Sequence, residues 1–245
     1  MNDVGTRNLL EIEALNQRGG RMLSFVDLVD AGTMSADLAA FLLAAVRSGA
    51  SFITGARPGG AGKSTVLASL LSFLPPGERI VCVAGRDLNS LPPHACLLAH
   101  EIGDGPYYGY IWGRDVGRWL GHARDGTRVA SCIHADTIDQ VYDVFASPAL
   151  AIPRDDWSLL RLAVFLHVDR QSGSIRRRVS TVYWTPPGRD WPQVVFRWDP
   201  DGDRFLQECD PGLDGGEWDR ARVDIDRVFH RGLRQLGEVR DALSP

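Results

Sequence analysis

One stretch concentrates residue types able to hold a chain of phosphates: Gly59-Gly60-Ala61-Gly62-Lys63-Ser64-Thr65. A phosphate tail needs backbone N–H donors pointing inward, the positive end of a helix and a mobile ammonium. Gly59, Gly60 and Gly62 meet the first need because no side chain is in the way, a helix starting at Ser64 meets the second, and Lys63 meets the third. The Ser64 hydroxyl stands where such a loop holds Mg²⁺. Lys63 is the single lysine among 27 basic residues, so a chain otherwise committed to arginine keeps one ammonium in this loop. The generic pattern G-x-x-x-x-G-K-[ST] asks for glycine at position 57, where Arg57 stands; counted from Gly55, the loop is two residues longer than the pattern. The ligand expected at this Walker A-like loop is ATP with Mg²⁺.

Hydrolysis of the terminal phosphate asks for little covalent chemistry but needs charge neutralisation and an oriented water. Ala95-Cys96-Leu97-Leu98-Ala99-His100 reads as an apolar strand ending in Glu101. Glu101 is therefore the candidate base, with Asp87 as competitor. His134 ends the next apolar strand, where parallel strands bring their C-termini together, and is the candidate sensor of the terminal phosphate. Arg176-Arg177-Arg178 reads as a solvated strand edge, with lipid or nucleic-acid contact as the alternative. His94, His100, His122, His167 and His230 show no metal-ligand spacing.

These residues need elements to position them. Ser51 to Thr54 reads as a strand running into the loop, and Val66, Leu67, Leu70, Leu71 and Leu74 repeat at helical spacing after it. Ahead of it, Thr33 or Ser35 caps a helix whose body, Leu38 to Val46, is apolar nearly all round, ended by Gly49. Pro75-Pro76-Gly77 stops the loop's helix. Strands are expected at Arg79 to Ala84, Ala95 to Ile102, Arg128 to His134 and Leu159 to Val168, with helices at Asp115 to His122 and Thr137 to Phe145. Strands alternating with helices imply right-handed crossovers and a helix-covered, mostly parallel sheet. Arg176 to Trp184, Gln193 to Asp199 and Arg204 to Gln207 alternate as an antiparallel extension, with a turn at Asp199-Pro200-Asp201-Gly202. A last helix, Trp218 to Leu243, lines Trp218, Ala221, Ile225, Val228, Phe229, Leu236 and Val239 on one stripe. The expected fold is thus an α/β P-loop NTPase with a hairpin extension and a C-terminal amphipathic helix. Its expected divisions are an N-terminal arm (1–24, with a short helix around Leu9 to Leu15), a nucleotide-binding core (25–170) and the extension (171–245).

Composition bounds the functions. The chain has 245 residues, 44% hydrophobic and 24% charged, ordinary for a globular protein with a substantial core. A net charge of −4 argues against a surface that wraps nucleic acid. Leu38 to Val46, the longest apolar run, is about half of a membrane-spanning helix. Met1-Asn2-Asp3-Val4 lacks a secretory leader's pattern, so the expected location is the cytoplasm. Cys82, Cys96, Cys132 and Cys209 lie too far apart for a zinc or disulfide framework and read as small core residues.

Around the loop the chain resembles the ATPases of type II and type IV secretion systems and type IV pili. The resemblance runs through Leu28-Val29-Asp30-Ala31-Gly32-Thr33-Met34-Ser35, the helix Leu38-Ala39-Ala40-Phe41-Leu42, the loop, and Leu70-Leu71-Ser72-Phe73-Leu74-Pro75-Pro76-Gly77-Glu78-Arg79-Ile80-Val81. Ser131-Cys132-Ile133-His134-Ala135-Asp136 is similar to that family's histidine box, and Phe196-Arg197-Trp198-Asp199-Pro200 with Asp203-Arg204-Phe205 resembles its later hairpin. The resemblance implies a motor core that works as a homo-oligomeric ring within a secretion or pilus assembly. Oligomeric motors commonly take an arginine finger from an adjacent subunit, for which Arg57, Arg86, Arg114 and Arg118 are candidates. The strand after Arg79 ends Val83-Ala84-Gly85 where the family has acids, and the family's glycine-glutamate Walker B element is not recognisable. Two alternatives follow: a nucleotide-binding switch or scaffold without turnover, and a P-loop kinase acting on a small molecule.

Overall fold

The computed structural model describes residues 3–16, 19–92, 94–170 and 174–244. Met1 and Asn2, on which the leader reading rests in part, lie outside the described residues, as do residues 171–173 at the expected boundary between core and extension.

The strand before the loop forms as β1, Phe52–Gly55, buried along its whole length. It sits between two parallel neighbours, β6 (Arg128–Ile133) and β7 (Leu162–Asp169). The strands β2 (Arg79–Cys82) and β3 (Ala95–Leu98) continue the parallel sheet beyond β6. On the other side the antiparallel strands β8 (Arg176–Trp184), β9 (Gln193–Asp199) and β10 (Arg204–Gln207) extend it. The resulting order is β10-β9-β8-β7-β1-β6-β3-β2, with two short strands off this path, β4 (Glu101–Ile102) and β5 (Tyr110–Ile111). The fold is mixed α/β: a mostly parallel central sheet continued by antiparallel strands.

Period-two alternation sends neighbouring strand residues to opposite faces, and each face has its own core. Phe52, Leu162 and Val164 face one layer, made of α1 (Asp3–Glu13), α2 (Phe25–Asp30), α3 (Ala36–Arg47), α4 (Lys63–Ser72), α7 (Gly215–His230) and α8 (Leu236–Leu243). Ile53, Ala163 and Phe165 face the other, covered by α5 (Arg114–Gly121) and α6 (Ile138–Ala146). Helix α3 is capped by Ser35, whose hydroxyl accepts from the Leu38 N–H, and Leu38 to Val46 is entirely buried, as its all-round apolar character implies. Helix α1 is longer than the short helix expected near Leu9. Its Ile12 is fully buried, and the buried Asn8 side chain accepts from the Ile80 N–H and donates to the Glu78 carbonyl at edge strand β2.

Three further elements depart from expectation. The strand expected over Ala95 to Ile102 breaks after Leu98: the His100 N–H leaves the ladder and donates to the Gly109 carbonyl, after which Glu101–Ile102 pairs afresh with β5 and β6. The strand expected from Leu159 starts only at Leu162, because Arg154–Leu159 closes as a 3₁₀-helix. The single helix expected over Trp218 to Leu243 is two, α7 and α8, interrupted at Gly232, whose φ of 63° is left-handed and ends an α-helix. Both pack on this same chain, α7 against α3 through Ala221, Ile225 and Val228. Among the described residues no helix is long and apolar enough to cross a membrane.

Candidate functional site

The C-terminal ends of β1, β6 and β7 share one edge of the sheet, the place where open α/β sheets form ligand crevices. From β1 the chain passes Gly55 and turns through 56–62 into α4. Gly55 must be glycine: a Cβ there would stand 2.5 Å from the Phe165 ring and 2.6 Å from the Ala135 carbonyl oxygen. Gly60 and Gly62, at φ of 78° and 103°, take the left-handed turns that bring the chain into the helix. The buried Thr54 hydroxyl donates to the Lys63 carbonyl (3.1 Å), fixing the first turn of α4 to β1.

Three contacts hold the loop from outside. The Arg57 N–H donates to the Asp136 carboxylate (2.8 Å), Arg170 donates to the Gly59 carbonyl (2.7 Å), and Arg177 Nε donates to the Gly60 carbonyl (2.9 Å). The loop faces a cavity of about 700 Å³. One wall is the loop with Lys63, Ser64, Thr65, Glu101 and His134; another is Arg176, Arg177 and Arg178; the third is apolar, with Leu15, Met22, Leu23 and Leu28.

Lys63 is buried, and its ammonium donates to the Ala56 carbonyl (3.3 Å). Glu101 Oε1 lies 3.7 Å from Lys63 Nζ and 3.5 Å from His134 Nε2. These are ion-pair separations rather than hydrogen bonds. The carboxylate, its side chain 8% exposed, therefore leaves Oε1 without a hydrogen-bond partner among the described residues. Burial raises the carboxyl's proton affinity above the usual glutamate range; the charges of Lys63 and His134 pull it back only in part. A buried acceptor without a donor is costly, and a donor arriving in the cavity would remove that cost.

The sequence-predicted residues thus divide. Gly59 to Thr65, Glu101 and His134 line one cavity. Asp87 does not: it caps the turn at Leu88–Ser90, accepting from the Asn89 N–H (3.0 Å) and side-chain amide (2.9 Å). Ser64 Oγ lies 4.0 Å from Cys132 Sγ, a thiol that burial pushes up to about 12 and so keeps protonated. His134, half exposed, sets Nδ1 3.2 Å from the Arg57 carbonyl and also borders a second hollow formed with Trp112 and Gln140. Arg86 is engaged with the Cys82 carbonyl and Arg118 with Asp115.

Sequence reading missed Arg170, Arg177 and Asp136 as residues of this site. Asp136 lies two residues after His134, so its place beside the loop was available. The arginines carried no local signal; only the β7–β8 hairpin, which pairs Val168 with Arg177, returns them to the loop.

A solved structure of the VirB11 ATPase from the Brucella suis type IV secretion system, in complex with sulphate, is similar at a TM-score of 0.46 and 18% identity, over 65% of this chain and 54% of that one. The chain spans about half the length of that protein. No family profile matches the sequence, and no curated protein matches it.

Proposed function

We propose that the chain binds Mg-ATP through the Gly59 to Thr65 loop and hydrolyses it. One observation carries this reading: the chain's single lysine, at the N-terminus of α4, and a buried carboxylate with an unpaired oxygen face the same cavity. The ammonium of Lys63 and the loop N–H groups would take the phosphates, and the apolar wall of Leu15, Met22, Leu23 and Leu28 offers a flat base a dry surface.

The donor set fits Mg²⁺ as such sites use it, with few protein oxygens and the rest from phosphate and water. Ser64 Oγ is the protein oxygen that would face it. Bound there, the ion would neutralise phosphate charge. The chain's own residues do the rest. Glu101, poised by burial to accept a proton, orients a water and takes its proton as the water oxygen bonds to the terminal phosphorus and the bond to the bridging oxygen breaks, leaving ADP and inorganic phosphate. His134, half exposed beside Glu101, would report whether the terminal phosphate is present.

Glu101→Gln should keep ATP binding while phosphate release falls by about 10²–10⁴-fold, measured across a range of protein concentrations. Release at the wild-type rate by this variant removes Glu101 from the role. The second reading, a nucleotide switch without turnover, is favoured by Asp87 being committed elsewhere, which leaves Glu101 as the one carboxylate among the described cavity residues. Binding without release in the wild type at every concentration selects it.

The resemblance of Leu28 to Val81, and of Ser131 to Asp136, to secretion and pilus ATPases supports one step more. Hydrolysis would drive conformational work in a cytoplasmic homo-oligomeric ring serving a secretion- or pilus-like assembly.

A further inference from the structure

Three arginines open β8, and their surroundings separate them. Arg178 is compensated: Nε and a terminal nitrogen each donate to the Asp203 carboxylate at 2.7 Å. Arg176 lies 3.9 Å from the same carboxylate. Arg177 has no carboxylate partner among the described residues. Its Nε donates to the Gly60 carbonyl, and its Cδ lies 3.5 Å from where a Cβ on Gly62 would stand, so its stem lies along the loop itself. A guanidinium carries five N–H donors in a rigid fork, and the loop carbonyl takes one. Lys63, by contrast, already has Glu101 beside it. Arg177 is thus a half-buried, uncompensated cation that lines the cavity next to its glycine turn. A guanidinium with donors to spare, beside the loop and with no carboxylate in ion-pair reach, is a ready partner for an anion in the cavity.

We infer that Arg177 contacts the outermost phosphate of the nucleotide bound to its own chain, supplying from within the subunit the charge that an arginine finger would bring from a neighbour. The inference rests on the reading of the loop as the nucleotide site. It has a topological cause: the antiparallel step from β7 to β8 sends the start of β8 back to the edge where β1 delivers the loop. None of Arg57, Arg86, Arg114 and Arg118, the finger candidates of the sequence, is required for this role.

The test is calorimetric titration of the full chain with Mg-ATP and with Mg-ADP, for the wild type, Arg177→Gln and Arg177→Lys. A contact to the outermost phosphate predicts that Arg177→Gln weakens ATP by about tenfold or more and leaves ADP nearly unchanged, with Arg177→Lys intermediate because it keeps the charge and loses the fork. A merely structural role in bracing Gly60 would weaken both nucleotides alike, and that result overturns the inference. So does an Arg177→Gln variant that binds ATP as the wild type does. Adding excess Lys63→Ala chains, which keep Arg177, separates the subunits: restored ATP affinity in Arg177→Gln would mean that the arginine acts across an interface, against the proposal. A wild type that binds neither nucleotide defeats the site reading itself, and this inference with it; ATP binding by the wild type with any of the contrary results above defeats this inference alone.

Discussion

The carboxylate of Glu101 sits where water barely reaches, between an ammonium and an imidazole that approach it without hydrogen bonding to it. Its proton affinity is raised by that burial, which fixes the sign of its effect on stability. A carboxyl that holds its proton more tightly folded than unfolded favours the folded state while protonated, and stability falls as pH rises through the window between the unfolded and the raised folded value. Removing the charge at constant shape should lift that burden. Glu101→Gln is expected to melt at or above the wild-type temperature at about pH 7, with the difference shrinking toward about pH 4, in thermal scans across that range. A variant that melts well below the wild type at neutral pH would mean that the contacts to Lys63 and His134 outweigh the desolvation. At this scale the sequence was informative where chemistry is local. Lys63 among glycines, and Glu101 and His134 at the ends of apolar runs, were legible because type and neighbours suffice. Asp87, the nearest carboxylate beyond the end of the preceding strand, lies outside the cavity, because it accepts from the Asn89 N–H and side-chain amide two residues on. Arg177 was illegible because its role depends on a pairing between strands.

Elements followed the sequence wherever hydrophobic period and punctuation agreed. The strands β8, β9 and β10 lie where alternation set them, and α3 is as buried as its composition implies. Where the two conflicted, tertiary contacts or glycine decided. The apolar run from Ala95 carries no breaker, yet His100 turns to meet Gly109, where a Cβ would stand 2.4 Å from the imidazole; only glycine permits the approach. The C-terminal stripe kept its helical period across Gly232, which nonetheless divides it. The first half, α7, covers α3, where Phe41 meets Trp184, Phe196 and Trp218 at ring distances of 5.5–6.1 Å, and α8 packs on α7, α4 and α1. Ile225, 1% exposed, is central to α7's buried face. Ile225→Ala should cost about 2–4 kcal/mol, a fall in melting temperature of about 4–16 °C for a chain of this size, without changing oligomer mass in light scattering. A change in mass without a change in melting temperature would place the stripe at a subunit contact instead.

For the molecule as a whole, the parallel order β7-β1-β6 does most to define the site, since it directs the loop, His134 and Arg170 to one edge while the break before Glu101 swings its carboxylate in beside them. The antiparallel strands enlarge the sheet and, through their first hairpin, add the arginine wall. The alternation of strands and helices foretold the layers and the edge at which a ligand crevice forms; it carried no information about which loops cross that edge from the far side of the sheet. The proposed activity depends first on the loop holding phosphates. Calorimetric titration of the wild type and of Lys63→Ala with Mg-ATP tests that most directly. Removing the ammonium deletes a charge-assisted contact to the outer phosphates, and with several such bonds at about 1.5–3 kcal/mol each, affinity should fall at least tenfold. Saturable binding to the wild type and its near loss in Lys63→Ala are expected; equal binding by the two proteins, or none by the wild type, would contradict phosphate binding by the loop.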